Sequence, residues 1–293
     1  MPDPLELLEE GRRAEKLGIL NRALEAYEDA AKASDDPSII AEALVHQADV
    51  HRACCEWDDA ITCARDAQVI AVTSGLEDRH AEALNAEAVV HMARGDFAAA
   101  TPLLEELLRS AADVRLRGIA LQNLGTTRAQ QGQLAAAEQA FAESYSCFLS
   151  CGYERGQAIA LNNQGRVALD RGDRDLAERV LLQALHAARE VDDTELIGIT
   201  MVNVAEAILP RDALRAESFA CSALGHFQHS RNTWRMIEAL RLLGSVHEHR
   251  GNVGEAGRCY ERALGMATEI GAKVEVTALQ GCIHRLGSAT RAR

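Results

Sequence analysis

Aromatic residues are scarce in this chain of 293 residues: they make up 4% of it, although 47% is hydrophobic. The apolar content is therefore mostly alanine and leucine, small unbranched residues that suit close helix packing. Five prolines in the whole chain leave room for long helices. Lysine is confined to Lys16, Lys32 and Lys273, so arginine carries nearly all the positive charge. With 44 acidic against 31 basic residues the formal charge is -13. That balance argues against nucleic acid as the main partner, because such binding rests on Lys and Arg contacts to phosphates.

No apolar run reaches a membrane-spanning length, which predicts no membrane insertion. The stretch from Met1 to Glu10 is acidic and lacks the basic start and apolar core of an export signal. The eight cysteines, Cys54, Cys55, Cys63, Cys147, Cys151, Cys221, Cys259 and Cys282, show neither framework spacing nor a CxxC pair. This usage suits a reducing cytoplasm, with the cysteines as small buried hydrophobes. The chain contains no GxxxxGK phosphate loop and no GxGxxG, GxSxG or HExxH motif. No enzyme hypothesis with named roles survives, and no cofactor is implied.

What is abundant is repetition. A small residue preceded four positions earlier by Leu or Met recurs along the chain: Gly11, Ala48, Ala88, Gly125, Gly165, Ala205 and Gly244. Successive gaps are 37, 40, 37, 40, 40 and 39, and a further 37 lands on Gly281. A second alanine marker follows each anchor by twelve residues, or by eleven in the sixth unit: Ala23, Ala60, Ala100, Ala137, Ala177, Ala216 and Ala256. Between the two lies a break, filled by Gly18, Gly95, Gly132, Gly172 or Gly251, where glycine ends one helix and permits the turn. Cys55 replaces that glycine in the second unit, and Pro210 marks a shortened, irregular turn in the sixth.

The segments between breaks carry apolar residues at helical spacing, as in Leu134, Ala137 and Phe141. Two antiparallel helices approach closely only where side chains are Gly or Ala, so each small anchor marks a crossing point. One helix pair cannot bury its apolar face alone, and stacking in series does so. The units fall at about 4–36, 41–76, 80–112, 116–151, 156–192, 195–230 and 235–271, with a last helix at 272–287, in a single repeat domain spanning 1–293.

These markers resemble the tetratricopeptide repeat over the whole chain. In the seventh unit Leu243-Gly244, Gly251, Ala256, Tyr260 and Ala263 stand where the family keeps its Leu-Gly pair, turn glycine, Ala, aromatic and Ala. Leu124-Gly125, Gly132, Ala137 and Phe141 match in the fourth unit, and Gly11, Gly18, Ala23, Tyr27 and Ala30 in the first. The resemblance implies an all-α, right-handed α-solenoid superhelix of seven helix pairs plus a C-terminal capping helix. The period exceeds the family's common ~34 residues, as in kinesin light chains and bacterial peptide-responsive regulators. The family's opening Trp is missing, and His51, His91 and His247 stand at its Tyr position in the first helix.

In the family the first helix of each pair lines a concave groove. Asn123, Asn163 and Asn203 each lie two residues before their anchor, and Asn85, Gln122 and Asn162 lie three before. The segment LNNQG at 161–165 is similar to the peptide-binding repeats of kinesin light chains and quorum regulators. An Asn amide offers a donor and an acceptor together, matching the paired groups of an extended peptide backbone. Arg166, Thr126 and Gln130 add side-chain selectivity, with Arg166 able to grip a carboxylate. The same asparagines could instead bond one another and set helix register.

The reading is a cytoplasmic interaction scaffold holding a peptide or partner helix. The alternatives are a regulatory module of a bacterial signalling system, or self-assembly into a homo-oligomer through the C-terminal helix. Metal binding is not expected: His226 with His229, Cys147 with Cys151, and His247 with His249 assemble no four-ligand set.

Overall fold

The computed structural model describes residues 3–291, all of whose regular structure is helical. Seven helix pairs run in series: α1 (Pro4–Lys16) with α2 (Leu20–Ala33), α3 (Pro37–Ala53) with α4 (Trp57–Thr73), α5 (Glu77–Arg94) with α6 (Phe97–Ser110), and α7 (Val114–Gln130) with α8 (Leu134–Ser150). There follow α9 (Glu154–Asp170) with α10 (Arg174–Glu190), α11 (Thr194–Ile208) with α12 (Ala213–His229), α13 (Thr233–His249) with α14 (Val253–Glu269), and a last helix, α15 (Lys273–Arg291).

Local chemistry sets the helix ends. Asp3 and Asp36 cap α1 and α3 with a proline in the next position, and Asp96, Asp113, Asp173, Asp193, Asp212 and Asn232 accept backbone N–H groups at other N-termini. The breaks between paired helices place Gly18, Gly95, Gly132, Gly172 and Gly251 at positive φ. Cys55 takes the same left-handed conformation (φ 61°), against the steric preference of any residue with a Cβ.

The anchors work as sockets. A Cβ at Gly11, Gly125, Gly165 or Gly244 would lie under 3.0 Å from Tyr27, Phe141, Leu181 or Tyr260 of the following helix, so the missing methyl admits the ring or branched chain. All seven marker alanines, from Ala23 to Ala256, are completely buried at these crossings. Two further sockets, Gly118 for Phe148 and Gly198 for Phe227, lie seven residues before the anchors Gly125 and Ala205. Gly281 holds the anchor position in α15, and there a Cβ would meet nothing within 4 Å.

The cysteines depart from the expected burial. Cys54, Cys55, Cys151 and Cys221 are exposed and the other four half-buried, because they sit in turns or away from the crossing stripe.

The chain divides into two compact units, one up to Tyr153 and one from Glu154. In the first, α1 touches α3, α3 touches α5 and α5 touches α7; in the second, α9 touches α11 and α11 touches α13. Successive even-numbered helices make at most slight contact, so within each unit the odd-helix face is the inner side of the curve.

The sixth pair is irregular, although its connection is not shortened. Helix α11 has 15 residues where its neighbours have 17, and the link to α12 covers residues 209–212. Pro210 has no N–H to offer the Glu206 carbonyl and ends the helix. Arg174, at the start of α10, donates instead to Glu206 O at 2.7 Å and reaches Ala207 O at 3.4 Å. The turn is further tied down by Arg211, which pairs with Asp175 and with Glu178.

Candidate functional site

The odd-helix face carries every residue expected to meet a partner. In the first unit, α5 supplies Asn85 and α7 supplies Gln122, Asn123, Thr126 and Gln130. The Asn123 amide donates to Asn85 Oδ1 at 2.9 Å, linking the two helices. The Thr126 hydroxyl is turned inward along its own helix, donating to Gln122 O at 3.0 Å, while Gln130 is exposed at the end of α7. Asn85 also borders a 240 Å³ cavity with Glu42, Asp49, Arg79 and Glu82. Charge alternates there across helices: Glu42 joins Arg12 of α1 to Arg79 of α5, and Arg79 also meets Glu82 at 2.7 Å.

In the second unit the Asn203 amide donates to Asn162 Oδ1 at 2.9 Å, and both residues are 7% exposed. The rule is the same in both units: the residue three before one anchor accepts from the residue two before the next. Asn163 is different. It is half-buried, has no hydrogen-bond partner among the described residues, and borders a second 240 Å³ cavity with Ile159, Ile199 and the ion pair Arg155–Asp193. Arg166 is engaged by Glu206 at 2.7 Å and Asp170 at 3.1 Å. Burial works against its charge, but the two carboxylates outweigh it and hold the pKa above the ordinary arginine value.

A feature the repeat pattern did not single out lies further along this face. A cavity of about 460 Å³ is bordered by residues of α9, α11, α13 and α15, with Arg174 of α10, Tyr260 of α14, and Leu209 and Pro210 of the link after α11. Its traces in the sequence were Pro210 and the candidate Arg166, which also borders it. Among the other candidates, burial raises the Cys147 thiol, which keeps it protonated and poorly nucleophilic at neutral pH. His51, Glu56 and Asp59 bring possible ligand atoms within 4.8 Å of one another at the turn before α4, where His51 Nδ1 is already bonded to Glu56 at 2.7 Å.

A tetratricopeptide repeat family model matches residues 85–148, and a second one matches 160–195 and 239–272. The chain is a tetratricopeptide repeat protein. Its helix pairs superpose on a Rap protein complexed with competence and sporulation factor, with a TM-score of 0.72 at 12% identity, over 99% of this chain and 86% of that one. BtubC (BKLC) from P. vanneervenii gives 0.60 at 18% identity, covering 74% of this chain and 90% of that one. A signal transduction ATPase with numerous domains and a tetratricopeptide repeat sensor, from Pyrococcus horikoshii, gives 0.72 at 13% identity, over 94% of this chain but 44% of that one. These likenesses establish the fold, an all-α solenoid of tetratricopeptide repeats. No protein of curated function matches the sequence. Among the described residues no helix is long and apolar enough to cross a membrane.

Proposed function

We propose that this tetratricopeptide repeat protein is an interaction scaffold that holds an extended segment of a partner protein on its odd-helix face. The observation that carries the reading is Asn163, whose amide has no partner among the described residues while the adjacent Asn162 is paired with Asn203. The paired asparagines hold neighbouring helices in register, and Asn163 keeps a donor and an acceptor for a peptide group. Ile159 and Ile199, both half-buried in the same cavity, give an apolar surface for an alternate side chain. A Rap protein with this fold is complexed with competence and sporulation factor, which supports the reading.

The test is affinity capture from the native cell with wild type and with Asn163→Ala. The variant is expected to lose its partner while melting at the wild-type temperature, because Asn163 makes no hydrogen bond to another described residue. Undiminished capture would overturn the reading. Variants at Asn123 or Asn203 are less suited, since each also breaks an interhelix bond.

A second reading, a sensory module within a larger signalling protein, is favoured by the likeness to the P. horikoshii sensor, of which the chain spans 44%. Capture of a signalling output protein would select it.

A further inference from the structure

Two arginines on the odd-helix face of the second unit stand outside its pattern of paired charges. Arg241 holds in α13 the place, three residues before the anchor, that Asn162 holds in α9. Arg285 lies on α15. Both are exposed and both border the 460 Å³ cavity beside Pro210.

The other charged groups of that cavity already have partners. Glu206 pairs with Arg166 at 2.7 Å, Glu238 with Arg235 at 2.9 Å, and Glu248 accepts the Tyr260 hydroxyl at 3.0 Å. Arg174 is turned to the carbonyls at the end of α11. Among the described residues Arg241 has no side-chain partner, and Arg285 reaches only Cys282 Sγ, at 3.2 Å. At the other described positions on odd-numbered helices of the second unit, Arg155, Arg166 and Arg235 each meet a carboxylate. Two guanidinium groups without a carboxylate therefore lie beside one cavity, in a chain with a formal charge of -13.

We propose that this cavity receives an acidic segment of a partner protein, two of whose side-chain carboxylates pair with Arg241 and Arg285. The guanidinium fork binds a carboxylate through two parallel hydrogen bonds, and two forks on separate helices call for two carboxylates in place of a single chain terminus. Val202, Leu209 and Leu242 also border the cavity and offer some apolar surface to the stems of Glu or Asp residues. A nucleic-acid strand fits poorly, because Tyr260 is buried and no other aromatic ring borders the cavity for a base to stack on. The inference rests on the odd-helix face being the partner-binding face, and it adds the chemistry of what binds there.

The test uses the full chain and a fluorescent, C-terminally amidated peptide carrying paired glutamates, with its glutamine counterpart, read by anisotropy. Saturable binding of the glutamate peptide is expected, at least about tenfold tighter than the glutamine peptide and weakened by added salt. R241Q/R285Q is expected to lose that preference at an unchanged melting temperature, and R241E/R285E to prefer a lysine peptide. Equal binding of the glutamate and glutamine peptides, undiminished binding by R241Q/R285Q, or no saturable binding up to millimolar peptide would overturn the inference. If the double variant loses the glutamate peptide only when its C-terminus is free, a terminal carboxylate is the ligand and the inference also fails. Partner capture that depends on Asn163 but not on the arginines would leave the groove reading standing and remove this one alone.

Discussion

At the scale of single residues, glycines of one chain behave in opposite ways according to what faces them. Gly244→Ala would push a methyl into the Tyr260 ring, and is expected to cost about 1–3 kcal/mol as an overpacked contact. Gly265, inside α14 with nothing within 4 Å of its Cβ position, should give the reverse: Gly265→Ala is expected to add about 0.5–1 kcal/mol by restricting the unfolded chain. Urea unfolding of both variants checks the sign of each. Asn203→Ala leaves the buried Asn162 without its donor, at an expected cost of about 1–3 kcal/mol. The anchors were legible because a single small residue recurs at a fixed offset from a leucine. The extra sockets at Gly118 and Gly198 were not, since only two units have them. The asparagines were legible as a polar row and no further: pairing depends on a one-residue offset between neighbouring helices, which the residue type does not encode.

At the scale of helices and turns, charged groups do what the repeat pattern leaves undone. Arg174→Ala removes the donor that replaces the missing Pro210 amide, and a loss of about 1 kcal/mol is expected from an exposed charged donor at a helix C-terminus. The sequence marked Pro210 as a break but misplaced its effect, which falls on the length of α11 and not on the link. Asp193 supports α11 from the other end. Burial acts to raise its pKa, but hydrogen bonds from Leu196 N–H and Arg155, with the Arg155 charge, outweigh burial and hold it below the ordinary aspartate value. A carboxyl depressed in the folded state contributes stability that is complete above its unfolded pKa and lost as pH falls through the lower folded value. Thermal melts should therefore show Asp193→Asn less stable than wild type at neutral pH, with the gap closing as pH drops below about 4.

At the scale of the whole molecule, substantial contacts join only helices that are neighbours or next neighbours in the chain. Stability in such an array is a sum of local terms, and the end helices have neighbours on one side only. Amide exchange is expected to be fastest in α1 and α15 and to slow toward the middle of each unit; uniform protection along the chain would contradict this. This scale was the most legible in the sequence, because periodicity is itself a long-range signal and needs no single contact to be right. The division near Tyr153 was invisible, since the repeat runs through it without a change of period.

The pattern of contact between odd-numbered helices, with even-numbered ones standing apart, has a mechanical consequence. Even-numbered helices touch the next odd-numbered helix and scarcely one another, as α2 does α3 and α10 does α11, so bending of each unit about the odd-helix edge is taken up by small sliding at these contacts. Such a strip is compliant in one direction and stiff in the others. On the function proposed above, it would tighten or relax around segments of different thickness while the asparagine pairs along the odd-helix edge keep their spacing.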